Sequence, residues 1–153
     1  MNVIAGIDAA RERWNVLEHP FYTRWEKGEL THEELARYAG EYRHAVVALA
    51  RAARTAGLHA DEELGAAAIL YAIESGQPAI SETKLRGLVD HYGFAEGSEA
   101  VEYFVLHGER DHEHAAEART RLEEREDARL VGLAEAALAA NWALLDGVST
   151  AAA

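Results

Sequence analysis

Apolar residues recur at three- and four-residue intervals through most of the chain, which is the spacing of one-sided helices. The plainest case begins at Asp127, where Leu130, Leu133, Ala137, Leu138, Leu144 and Leu145 follow the i, i+3, i+4 rule. Earlier segments read the same way, and their ends carry recognisable stop and start signals. A first helix is predicted over residues 4–17, stopping near His19-Pro20, and a short one over 21–27, ending at Gly28. Thr31-His32-Glu33-Glu34 is a capping box, in which the threonine hydroxyl and the glutamate carboxylate each satisfy an orphan amide. It opens a long helix to about residue 55, closed by Gly57. Asp61 is the expected cap of a helix over 62–75, Pro78 and Ser81 introduce another that ends at Tyr92-Gly93, and Ser98 caps a long one running to about residue 124. Alanine is abundant and β-branched runs are scarce, so the fold class is all-α.

Composition narrows the picture. The 153 residues amount to one domain, with no internal repeat, no Ser/Gly-rich linker and only two prolines, Pro20 and Pro78. Fifteen basic against 27 acidic residues give a formal charge of −12, which argues against a nucleic-acid groove and against docking on anionic lipid. Cysteine is absent, so thiolate metal sites, disulfides and cysteine nucleophiles are excluded. The N-terminus lacks a basic stretch followed by an apolar core, and the nearly uncharged run Gly65 to Ile73 is half of what a membrane span needs. The expectation is a cytoplasmic, acidic domain with no membrane partner. The Glu/Arg run 117–126 reads as a solvated face.

The sharpest chemical feature is His107-x3-Asp111-x2-His114. At about 100° per residue, Asp111 lies roughly 40° to one side of His107 and His114 roughly 20° to the other. Two imidazoles and a carboxylate on one face suit iron, manganese or zinc; the same spacing also arises on His-rich polar faces that bind nothing. His112 points about 140° away from His107 and is set aside. Glu74 ends an otherwise apolar segment and shares a face with Ala67, Leu70 and Tyr71. A carboxylate there either meets a cation, pairs with an arginine such as Arg86, or escapes to solvent. Glu41-x2-His44 has the i, i+3 spacing of di-iron bundles but lies toward the edge of its helix's apolar stripe, where a surface pair is the commoner outcome.

Three stretches resemble the haem-oxygenase-like di-iron oxidase family: LEHPFYTRWEKGELTHEELARYAGEY at 17–42, YAIESGQPAISETKLRGLVDHYGF at 71–94 and YFVLHGERDHEHAAEAR at 103–119. The wider superfamily includes thiaminase II-like proteins, pyrroloquinoline-quinone synthase and haem oxygenases. The resemblance implies a haem-oxygenase-like helical bundle, with Glu74, His107, Asp111 and His114 as ligands to one or two iron ions, or manganese in their place. It implies an oxidase that uses O2 on a small molecule or on its own tyrosine, and a homodimer. Tyr22 matches the sacrificial tyrosine of members that make para-aminobenzoate from themselves, and Tyr38 is a second pocket tyrosine by the same comparison. Arg110 and Glu117 are candidates to orient the imidazoles.

One departure stands out. Relatives place a further helix, bearing a Glu-x6-His ligand pair, before the segment of Glu74. Here the chain passes from Arg54-Thr-Ala-Gly57 through Leu58-His-Ala-Asp-Glu-Glu63 almost directly to Gly65, so one core helix is lacking or missing, with Glu41, His44 and His59 as conceivable substitutes. A thiaminase II reading lacks its cysteine nucleophile. A cofactor-free oxidase leaves the His/Asp face unexplained. A metal-free helical interaction module is the rival from another class.

Overall fold

The computed structural model describes the backbone of residues 2–56 and 60–150 and, within it, all side chains but those of residues 45, 46, 48–56, 60–62, 103, 106–110 and 150. Among the described residues there are seven α-helices and no strand: α1 (Val3–Arg13), α2 (Pro20–Glu26), α3 (His32–Ala56), α4 (Ala60–Glu74), α5 (Gln77–Asp90), α6 (Glu99–Leu122) and α7 (Ala128–Thr150). The all-α expectation is met.

Helix ends follow local chemistry, with three corrections to the sequence reading. The first helix stops at Arg13 rather than near 17, because Asn15 accepts the amide of Leu17 and starts a separate 3-10 turn over Val16–Glu18. Ser98 flanks α6 without a side-chain cap bond, its buried hydroxyl having no hydrogen-bond partner among the described residues. Helix α4 already begins at Ala60, so Asp61 lies in its first turn instead of capping it. The capping box forms as read: the Thr31 amide donates to Glu34 Oε2 (2.8 Å) and the Glu34 amide to Thr31 Oγ1 (3.2 Å). Asp127 also acts as expected, accepting the amide of Arg129 at 2.9 Å. The predicted stop at Gly57 and the candidate His59 lie outside the described residues. Only residues 57–59 separate α3 from α4, which leaves no length for a helix between them.

Two apolar clusters hold the bundle. In the first, Val3, Ile4, Ile7 and Ala10 of α1 meet Ala67, Ala68, Tyr71 and Ala72 of α4, Ala118 and Leu122 of α6, and Leu130, Ala134 and Leu138 of α7. The run of alanines on α4 is the reason it sits centrally: short side chains let α1, α6 and α7 approach from several sides, and α4 is apolar nearly all round. The second cluster gathers Phe21, Tyr22 and Trp25 of α2, Tyr38 of α3, Ile80 and Leu88 of α5, Tyr92, and Leu145 and Val148 of α7. Gly87 lets α2 and α5 touch, since a Cβ there would stand 2.3 Å from Trp25 Nε1.

Helix α7 corrects the search for membrane spans, because Ala128–Ser149 is long and apolar enough to cross one by length and composition, which the run 65–73 is not. Its apolar stripe Leu130, Ala134, Leu138, Leu145 and Val148 is buried in the two clusters, while 22% of the span is buried in all.

Candidate metal centre

The site forms where the facing stripes of α4 and α6 end in polar groups. On α6 the stripe reads Asp111, Ala115, Ala118, Leu122, an i, i+4, i+7, i+11 series whose last three members are buried. Asp111 therefore falls on the core-facing side of its helix because helical periodicity leaves it nowhere else to go. On α4 the buried pair Ala67 and Tyr71 is followed, three residues on, by Glu74. The close α4–α6 packing brings the two ends together.

One ligand atom from each of Glu74, Asp111 and His114 lies within 4.8 Å of the other two, the arrangement of side chains that could hold a metal ion. His114 Nδ1 stands 3.7 Å from Glu74 Oε1, a distance that admits an ion pair but not a good hydrogen bond. The Glu74 side chain is 19% exposed and that of His114 59%. Burial pushes the Glu74 carboxyl above the usual carboxylate range; His114 pulls it down and the neighbouring Asp111 raises it again. Among the described residues, Glu74 Oε2 is buried with no hydrogen-bond partner. A buried carboxylate oxygen without a donor is costly unless a cation meets it, so the donor set fits a divalent metal. One imidazole nitrogen and two carboxylates are the borderline-hard donors that iron and manganese accept.

Arg86 does not neutralise Glu74; it pairs with Glu82 on its own helix. Glu117, a candidate to orient an imidazole, pairs with Arg121 at 2.9 Å. Glu41, His44 and His112 are exposed and outside the cluster. His107 lies in the helical backbone of α6, one turn before Asp111, but its side chain, like that of Arg110, is outside the described residues. An open cleft of about 460 Å³ extends from the cluster between α4 and α6. Ala66, Ala67, Leu70 and Ala118 form its apolar lining, and Glu63, Glu117 and Arg121 its polar end.

The two tyrosines lie elsewhere in the bundle. Tyr22 and Tyr38 are buried and share a 2.8 Å hydrogen bond between their hydroxyls. Burial pushes the pKa of both phenols above the ordinary tyrosine value, so neither ionises at neutral pH. Beside them sits a residue that motif reading missed. Lys84 is 1% exposed, and its Nζ stands 4.1 Å from the ring centre of Tyr42, 5.2 Å from that of Tyr38 and 5.3 Å from that of Phe104. Desolvation lowers its ammonium to about 7. A sequence signal existed: Ile80, Lys84 and Leu88 form an i, i+4, i+8 series, a lysine in the middle of a core stripe.

Helix α6 connects the two places. Phe104, against Lys84, and Asp111, in the metal cluster, are seven residues apart and so lie on one helix face, roughly 10 Å along the axis. The aromatic cluster is on the N-terminal side of Asp111, and the cleft opens on the C-terminal side.

Two similar chains are the 4-aminobenzoate synthases of Chlamydia muridarum (strain MoPn / Nigg) and Chlamydia trachomatis serovar D (strain ATCC VR-885 / DSM 19411 / UW-3/Cx), each 26% identical over 186 residues and covering 80% of this chain. The alignments take in 78% and 80% of those proteins. An alignment of 186 residues is longer than the 153-residue chain itself, so it includes positions that the relatives fill and this chain does not. The sequence profile described as "iron-containing redox enzyme" matches residues 22–147, a range that takes in both tyrosines, Lys84 and all three clustered ligands, and the chain belongs to this haem-oxygenase-like family of iron-containing redox enzymes.

Proposed function

We propose that the protein is a non-haem, iron-dependent oxidase that uses dioxygen on a small molecule or on its own tyrosine, in the manner of a para-aminobenzoate synthase. The observation that carries this reading is the meeting of Glu74, Asp111 and His114 around a buried carboxylate oxygen that has no donor among the described residues. Iron held there would supply one-electron redox chemistry and the activation of dioxygen.

The chain's own residues do the rest. Glu74 and Asp111 bring negative charge to the end of an apolar cleft, where a cation is the complementary charge. The cleft offers room for a small organic molecule, with Arg121 and two carboxylates at its far end. On the other side of the cluster, burial keeps the Tyr22 and Tyr38 phenols protonated and out of water. Lys84 faces their neighbours as an amine that is about half neutral at neutral pH, and an unprotonated amine away from water is both a base and a nucleophile. Neither tyrosine lines the cleft, so a phenol reacting in that cluster would be resident in the protein rather than a visitor. The activity carried in the names of the chlamydial relatives supports the same arm.

The test loads the protein with Fe(II) anaerobically, admits oxygen, and follows oxygen uptake and aromatic acid formation by mass spectrometry. Protein made with ring-labelled tyrosine separates the two arms. Labelled product that disappears in Tyr22→Phe identifies the resident tyrosine as substrate. Unlabelled product formed only with an added aromatic compound identifies the small-molecule arm. Failure to bind iron, or binding without oxygen consumption, refutes the proposal.

A further inference from the structure

We infer that the cluster holds one metal ion rather than two; the inference rests on the metal-centre reading above and concerns how many ions that centre takes. Dinuclear carboxylate sites in helical bundles draw on four helices, with a glutamate from each of two and a Glu-x-x-His pair from each of the others. Among the described residues, the donors that converge come from two helices: Glu74 of α4, and Asp111 and His114 of α6. Two carboxylates balance the charge of one divalent ion and leave a second uncompensated.

Other donors among the described residues are accounted for by position. Helix α3 carries a Glu-x-x-His pair, but Glu41 and His44 are both exposed. The connection between α3 and α4 is three residues long and cannot carry a further ligand-bearing helix. Glu63 lines the cleft but lies eleven residues before Glu74, roughly 16 Å along α4, too far for the two carboxylates to share an ion. Glu117 lines it too, and is engaged by Arg121 at 2.9 Å. A second cation over Glu63 and Glu117 would have the Arg121 guanidinium for a neighbour. One ion on Glu74, Asp111 and His114 would lie beside the cleft that Glu74 and His114 line.

Manganese(II) is the probe, used with the full chain under anaerobic conditions. Equilibrium dialysis should saturate at one ion per chain, and electron paramagnetic resonance should show the spectrum of an isolated ion with intensity linear up to one equivalent. Glu74→Gln and His114→Gln, near-isosteric changes whose folding is checked by circular dichroism, should each weaken binding more than tenfold. Glu63→Gln and Glu117→Gln should leave the count at one. Two bound ions with an exchange-coupled spectrum overturn the inference while the metal centre itself stands. The same holds if Glu63→Gln or Glu117→Gln lowers a count of two to one. No bound manganese in the unsubstituted protein, repeated with Fe(II), overturns both.

Discussion

Replacing Lys84 by methionine should make the protein more stable and at the same time less active. The lysine amine is 1% exposed, and desolvation brings its titration from the ordinary 10.5 to about 7. At 1.36 kcal/mol per unit, holding a proton on it in the folded state costs roughly 5 kcal/mol relative to the unfolded chain. The expected gain at pH 7 from an unbranched apolar side chain of similar length is therefore roughly 4–5 kcal/mol.

The pH dependence identifies the cause. Below pH 7 the amine is protonated in both folded and unfolded chains, and the advantage of the variant is constant. Between pH 7 and 10.5 the unfolded chain binds the proton that the folded chain has released, so the stability contributed by the native lysine rises and the gap closes. Urea unfolding followed by circular dichroism from pH 6 to 10.5, on both proteins, gives the difference directly. Other groups titrate alike in the two and cancel. A gap that stays flat across that range, or a variant less stable at pH 7, would refute the argument. A stability gain accompanied by lost oxidation product would show a basic side chain retained against its energetic cost, the mark of a functional group.

Three further outcomes are expected. Gly87→Ala should destabilise by about 1–3 kcal/mol, because the new Cβ would press on the Trp25 indole between α2 and α5, and a thermal melt will read it. Glu34→Gln should cost about 1 kcal/mol at pH 7 by weakening the capping box and the Arg24 pair. Arg24 and the Thr31 amide hold that carboxyl at about 2 against an ordinary 4.5, so the contribution is present above pH 4.5 and is lost as pH falls toward 2; unfolding curves of the two proteins should converge over that window. Tyr22→Phe leaves the Tyr38 hydroxyl without its 2.8 Å partner in a buried setting and should lower stability by about 1–3 kcal/mol in the same melts, while manganese binding is unchanged.

The sequence by itself determined the helices, because apolar period, capping side chains and prolines act within a few residues of one another. Thr31 and Glu34 name the start of α3, and Asp127 that of α7, with no knowledge of the rest of the chain. It also placed Asp111 and His114 on one face of α6, since that is a property of the helix alone. Tertiary structure decided the matters that depend on what lies opposite. Glu74 reads equally as a ligand, an arginine partner or a solvated end until α6 is set against α4, and Arg86 is seen to be occupied by Glu82. Glu41 and His44 have ligand spacing, yet their side chains are exposed and away from the other donors. Lys84 breaks an apolar stripe in the sequence, but only the packing of neighbouring helices around it buries its amine and so lowers it to about 7. Local spacing fixes direction along one helix; charge, burial and shared ligands are properties of pairs of helices, and those are set by packing.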